Sequence, residues 1–312
     1  MNKALVAYHG KCIDGFTSAW IADRALRKKG YEVELLPMYY NEESYESLKA
    51  EIGMWDPDRL YVVDFSLPVD FLEVLKSFNS RTEVTILDHH KTAFENYSLD
   101  IHWTDDSKLM TTIHGANIVL DMTKSGAGIC WAYFNKEEYV PDLVRYVQDY
   151  DLYLFKDGDR TRWVNKYLRE QEFTLGSWDA VNDLMNTVRG LSKVLVIGKE
   201  LQEAHDHAVD IIVVRAEPCC IASCMGLLVH CLPKFASSVG HILAEKCGSY
   251  GLMYSVHEKS NTVRWSLRSI DDFDVSVLAK AYGGGGHKNA AGFETELLGA
   301  TELLGAGVSH DG

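Results

Sequence analysis

No apolar run in these 312 residues reaches the roughly 20 that a membrane-crossing helix needs. The opening MNKALVAYHG lacks the pattern of a secretion signal and enters a strand at once, so the first residue is expected to be the mature one. Positive charge is in deficit, with 31 Lys and Arg against 45 Asp and Glu, a net charge of −14. Proteins that hold long nucleic acids by neutralising phosphates usually carry the opposite balance. A long polyanion is therefore disfavoured, whereas a small phosphate ester held through bound cations is not. The seven cysteines form no paired framework, which favours a reducing compartment, the cytoplasm. Cys219, Cys220 and Cys224 cluster, but no fourth zinc ligand lies at suitable spacing nearby. They read as buried, inert thiols.

With 46% apolar residues, the chain can bury one large core or two ordinary ones. The first half alternates strand and helix patterns. Apolar strands are expected over 2–9, 31–38, 59–65, 82–87 and 116–121. Helices are expected over 14–29, 68–78, from 128 behind Ser125-Gly126, and over 140–151. This alternation predicts an α/β fold with a doubly wound parallel sheet. A mixed, Trp-containing stretch, 156–190, reads as a helical cap, and 192–210 as a long connecting helix. After Pro218, strands over 219–232, 250–257 and 262–268 and helices over 234–247 and 274–282 predict a second, smaller α/β domain. The expected division is 1–190, a helical linker 191–215, 216–304, and a Gly-rich tail 305–312.

The chemistry gathers where strands end. Leu87-Asp88-His89-His90-Lys91 follows one apolar run, Asp64 ends another, and His9 with Asp14 follows the first. The C-terminal ends of parallel strands share one sheet edge, where open α/β sheets place their sites. A carboxylate with two imidazoles there suits hard divalent ions and phosphate. A helix N-cap role explains Asp14 and partly Asp64, but not His9 or the His pair. Asp149 and Asp151, ending one helix pattern, compete as a further carboxylate ligand. The run Gly283 to Gly286 reads alone as a linker. Because it follows a helix and leads into His287, it also suits close approach of backbone amides to a phosphate. His102, His114, His205, His207, His230, His241 and His257 have no motif around them and read as structural or surface residues.

Taken in order, HGKCIDGFTSAW (9–20), VVDFS (62–66), LDHHKTA (87–93), YVQDYDLY (146–153) and GGGGHKNAAGF (283–293) resemble the DHH phosphoesterase superfamily along nearly the whole chain. The first motif, of the form HGxCxDG, is similar to the nanoRNase and cyclic-nucleotide phosphohydrolase branch. The resemblance implies a DHH domain, a DHH-associated C-terminal domain and hydrolysis of phosphate esters with two divalent metals, manganese first, with magnesium or a softer ion as alternatives. Paired sites of this kind hold ions about 3.5–4 Å apart. By resemblance His9 holds the first ion, Asp14, His89 and Asp149 the second, and Asp64 bridges them. Asp88 would orient a ligating His, and His90 would touch phosphate.

Cys12 departs from the wider superfamily, where most members carry Asp. It is either a ligand that shifts preference toward softer ions or a bystander. Arg268 resembles a phosphate-gripping arginine, with Arg264 as second candidate. His287 with Gly284, Gly285 and Gly286 resembles the substrate loop, brought to the metals across a cleft. The expected substrate is a short oligoribonucleotide cut to mononucleotides. Cyclic mono- or dinucleotides come second and pyrophosphate last. Neither long nucleic acid nor membrane is an expected partner, and the assembly state is open, a homodimer included. A nucleotide-binding sensor with a decayed metal site is the rival class, with Cys12 its one supporting feature.

Overall fold

The computed structural model describes residues 2–97, 108–136 and 139–297. His102 and the tail 305–312 lie outside them. Along the chain run β1 (Lys3–His9), α1 (Ile13–Lys28), β2 (Glu32–Met38), α2 (Glu42–Trp55), β3 (Arg59–Val63), α3 (Val69–Phe78), β4 (Glu83–Asp88), α4 (Lys91–Tyr97), β5 (Lys108–Ile113) and β6 (Ala116–Asp121). Five helices follow: α5 (Gly126–Asn135), α6 (Asp142–Asp151), α7 (Asp159–Arg169), α8 (Leu175–Met185) and α9 (Val188–Val213). The remainder comprises β7 (Glu217–Ile221), β8 (Cys224–His230), α10 (Ala236–Cys247), β9 (Tyr250–His257), β10 (Thr262–Ser269), α11 (Val275–Ala281), β11 (Gly285–His287) and β12 (Ala290–Glu296). The chain divides into two compact units, 1–202 and 203–312. Over the expected helical linker, 191–215, runs the continuous helix α9, whose two ends belong to different units.

The first unit is built on a sheet of order β2-β1-β3-β4-β6-β5, parallel except for β5. Its central strands are apolar throughout because both faces are covered. Ala4 and Val6 of β1, Tyr61 and Val63 of β3, and Leu87 of β4 pack on one side with Phe16 and Trp20 of α1 and Val144 and Val147 of α6. Leu5 and Ala7, Leu60 and Val62, and Ile86 pack on the other with Leu48 of α2 and Leu72 of α3. The period-two alternation of each strand divides these residues between two cores. Strands β2 and β3 flank β1 on opposite sides, so the strand order reverses at β1 and β3 and a crevice opens at their C-terminal ends.

The second unit is a sheet of order β11-β12-β10-β9-β8-β7, antiparallel apart from the β8–β9 pair. Val239 and Leu243 of α10 pack with Met253 on one face, together with Val209 and Val213 of α9. Val275 and Leu278 of α11 pack on the other with Leu252, Trp265 and Leu267. All seven cysteines are free. Cys219, Cys220 and Cys224 lie on the β7–β8 hairpin, and among the described residues they form no metal-capable group. No helix among the described residues is long and apolar enough to cross a membrane.

Candidate functional site

The crevice of the first unit collects His9, Cys12, Asp14, Asp64, Asp88, His89 and His90. Strand β1 ends at His9, and the chain turns through Lys11, at φ 57°, into α1. Cys12 occupies the N-cap position without a side-chain capping bond, and Asp14 sits in the first turn. Asp14 is therefore not a cap for its own helix. Its carboxylate instead accepts from the backbone N–H groups of Gly126 (2.6 Å) and Ala127 (3.0 Å), at the start of α5. A helix N-terminus stabilises an anion held this way. The two glycines at this junction are steric requirements. A Cβ on Gly15 would lie 2.3 Å from the His9 carbonyl oxygen, and one on Gly126 would lie 2.6 Å from the Asp64 Cβ.

Strand β3 ends one residue before Asp64, whose φ of 53° turns it into the crevice. Asp tolerates this left-handed conformation better than most residues but still pays for it. Asp64 is 1% exposed and divides its two oxygens. Oδ1 lies 3.1 Å from Nε2 of His89, and Oδ2 lies 3.6 Å from Nδ1 of His9. His89 Nε2 also lies 3.8 Å from Asp14 Oδ2 and 3.4 Å from Asp151 Oδ2.

Asp151, not Asp149, is the carboxylate of α6 that enters this cluster. The Asp149 side chain accepts from the Thr161 hydroxyl and from the Lys156 backbone N–H (3.0 Å), tying the end of α6 to the start of α7. Placing Asp149 in the metal site is thus corrected by the direction of the helix: two residues along, the side chain points elsewhere.

Asp88 is fully buried and accepts from the Ser66 hydroxyl and from the backbone N–H groups of His89 (2.7 Å) and His90 (3.3 Å). Its Oδ1 also lies 2.7 Å from Nδ1 of His90. The imidazole it orients is therefore that of His90, whereas a metal-ligating His was the expectation. With Nδ1 so engaged, Nε2 of His90 remains for another partner.

These donors fall into three metal-capable groups: His9, Cys12 and Asp64; Asp14, His89 and Asp151; and Asp64, Asp88, His89 and His90. In each group the ligand atoms lie within 4.8 Å of one another. Three buried atoms, His9 Nδ1, Asp64 Oδ2 and Asp151 Oδ2, have no hydrogen-bond partner. Buried polar atoms are rarely left so, unless an ion or water belongs there. Burial, and then the neighbouring Asp64 and Asp151, raise the Asp14 carboxyl well above its ordinary range. Burial likewise raises Asp151. Burial opposes ionisation of Asp64, but the His89 and His9 imidazoles outweigh it and hold its pKa below the carboxylate range. His89 is pushed up to about 9: burial disfavours its proton, and Asp64 and Asp14 more than restore it. Burial beside Asp64 and Asp14 keeps the Cys12 thiol well above its usual value. An acidic, desolvated set of this composition fits divalent cations bound by oxygen and imidazole.

The second unit carries the other expected residues. Arg268 and His287 both pair with Ala290, across β10–β12 and β11–β12. Directly paired residues share a sheet face, so the two side chains leave the same face two strands apart, roughly 10 Å. Ala290 lies directly between them, and Ser266, Gly292 and Gly285 form the next row of that face. Gly284 and Gly286 are needed for packing, since a Cβ would meet the Gly292 carbonyl oxygen at 2.2 Å and the Ala290 carbonyl oxygen at 2.5 Å. Gly285 has open space above it. The Arg268 guanidinium donates to the Leu267 carbonyl (2.8 Å) and the Ser237 hydroxyl (3.2 Å) in the first turn of α10, and meets no carboxylate among the described residues. Arg264 lies 3.7 Å from Glu294 on the exposed strand surface.

Four likenesses bear on this arrangement. Residues 232–305, which include Arg268 and His287, match the DHHA1 domain family. An uncharacterised protein of Acanthamoeba polyphaga mimivirus, R106, is 27% identical over 299 residues, covering 92% of this chain and 66% of that protein. The chain thus spans just under two thirds of that relative's length. A crystal structure of the exonuclease RecJ bound to manganese aligns with a TM-score of 0.55 at 16% identity, over 97% of this chain and 88% of that one. RecJ of Thermus thermophilus in complex with Mn2+ aligns with a TM-score of 0.50 at 16% identity, over 97% of this chain and 51% of that one. At such identity the likeness to RecJ is one of fold. Residues 232–305 thus match the DHHA1 family, and the chain as a whole shares the fold of RecJ.

Proposed function

We propose that the chain is a divalent-metal-dependent phosphodiesterase that cuts short oligoribonucleotides to mononucleotides, in a reducing compartment, the cytoplasm, that suits its seven free cysteines. The observation that carries this reading is the divided carboxylate of Asp64, with one oxygen toward His9 and the other toward His89. A carboxylate held this way would serve two cation positions at once. His9, Cys12 and Asp64 would hold one, and Asp64, Asp14, His89 and Asp151 the other. Divalent ions supply Lewis acidity and charge neutralisation at a phosphoryl group when bound.

The remaining work falls to the chain's own side chains. The amides of Gly126 and Ala127 fix the direction of Asp14. Asp88 fixes the imidazole of His90 and raises its pKa against the effect of burial, leaving Nε2 to donate to a phosphate oxygen. In the second unit, the planar fork of Arg268 suits bidentate phosphate contact. His287 adds a donor, and the bare surface at Gly285 admits the ligand to the backbone. The net charge of −14 disfavours long strands and leaves short ones, whose few phosphates are neutralised locally.

Turnover of dinucleotides, pentanucleotides, long single-stranded RNA, cyclic nucleotides and pyrophosphate, compared side by side in Mn2+, tests this reading. Dinucleotides to pentanucleotides should be cut fastest per end. Equal rates on a long strand and a dinucleotide, or a preference for pyrophosphate, would contradict it.

A further inference from the structure

Tyr40 stands at the rim of the cation cluster with one ring face uncovered. It lies two residues beyond β2 and is 55% exposed. The fully buried Phe65, directly after Asp64, stacks beneath it with 4.2 Å between ring centroids and 23° between planes. The His9 imidazole meets it edge-on, 5.8 Å between centroids at 69°. Two neighbours thus fix the ring, one beneath it and one at its edge. A side chain serving only the core would be covered. The nearby Tyr45 does serve the core, packing on Phe71 at 5.1 Å and joining the buried cluster of α2 and α3. A ring held in place before its ligand arrives adds contact area at little ordering cost.

We propose that Tyr40 is the stacking platform for the nucleobase next to the phosphate that cations at His9 and Asp64 would hold, an inference that rests on the phosphodiesterase reading above. The flat open face continues the Phe65–Tyr40 stack, and a nucleobase is the part of the substrate with a matching π-face. Stacking of this kind accepts any base, because every base presents such a face. Pyrophosphate offers none, so the same ring disfavours an inorganic substrate.

Calorimetric titration of the full chain in Mn2+ with adenosine 5′-monophosphate and with ribose 5-phosphate isolates the base, since the two ligands differ only in it. Wild type should bind the nucleotide about tenfold or more tighter than the sugar phosphate. Tyr40→Phe, which keeps the ring, should retain that ratio. Tyr40→Ala should bring it close to one while leaving metal content and ribose 5-phosphate affinity unchanged. A wild type without the preference, or one that binds neither ligand, overturns the proposal. So does Tyr40→Ala with the ratio preserved, or with both affinities reduced equally, which would mean that the ring only supports His9. If the chain cut no oligonucleotide, the phosphodiesterase reading would fail, while the binding ratio would still report on Tyr40.

Discussion

The Oδ2 atom of Asp151 stands 3.4 Å from Nε2 of His89 and is buried without a hydrogen-bond partner. Two residues earlier in the same helix, Asp149 has its hydrogen bonds met by Thr161 and Lys156. The two carboxylates therefore differ in what their loss does. Asp151→Asn should lower Mn2+ affinity and turnover by about 10- to 100-fold with little change in Tm. Asp149→Ala should instead cost about 1–3 kcal/mol of stability, from the polar groups left unpaired, and bind Mn2+ as wild type does once folded. Metal titration beside thermal unfolding of both variants checks this, and the reverse pattern would restore Asp149 to the site.

Gly126 is the contact through which α5 approaches the two central carboxylates. Gly126→Ala would set a Cβ 2.6 Å from the Asp64 Cβ and 2.9 Å from Asp14 Oδ2, where neither residue has room to move. We expect a loss of about 1–3 kcal/mol from overpacking, accompanied by weaker metal binding. Gly176→Ala, in helix α8, meets nothing within 4 Å and should lower neither stability nor Mn2+ affinity. Equal stability and Mn2+ affinity in the two variants would contradict the close approach.

Much of this centre can be read from the sequence because buried parallel strands are unbroken apolar runs. Their ends are then visible, and with them His9, Asp64 and Asp88-His89-His90. The doubly wound order follows from the same runs. Less visible were elements whose signal is thin. The buried stripe of α2 is Ser44, Leu48 and Ile52 alone in a charged sequence. The edge strand β5 is largely exposed. The β7–β8 hairpin turns through Ala222 and Ser223, at φ 49° and 65°, without the Gly or Asn that marks such turns. Asp149 and Asp151 share one helix pattern, and only the packing of α7 distinguishes them. Tyr40 carried no motif at all. Its position after a strand end, beside another Tyr, is the one trace in the sequence.

Arg268 and His287 stand on one face of the second sheet with only Ala290 directly between them, remote in sequence from the cation ligands. Arg268→Ala and His287→Ala should each raise the KM for a dinucleotide by about tenfold or more, as expected when a charge-assisted phosphate contact is lost. Neither should alter metal content. Arg264→Ala, which removes only an exposed pair with Glu294, should leave KM unchanged. Loss of bound metal in the Arg268 or His287 variant would show that the assignment of roles is wrong.

Cys12 shares a metal-capable group with His9 and Asp64, yet burial beside two carboxylates keeps its thiol protonated without a cation. If the sulfur is a ligand, Cys12→Ser should weaken the first cation position by about 10-fold or more, and Cys12→Asp should shift preference toward Mn2+ as a hard oxygen replaces a soft sulfur. Metal stoichiometry and the Mn2+ midpoint of activity decide it. Both unchanged in Cys12→Ser would make the residue a bystander and leave His9 and Asp64 to that position.

The two oxygens of Asp64 would join two cation positions, and the other roles at the site depend on this one. Its direct test is metal stoichiometry and dinucleotide turnover of Asp64→Ala beside wild type, after chelation and titration with Mn2+. Two ions per wild-type chain are expected, with no turnover after chelation, and in Asp64→Ala a reduced stoichiometry with turnover lower by at least about 100-fold. Near-normal turnover of Asp64→Ala in Mn2+, or wild-type turnover that survives chelation, would contradict it.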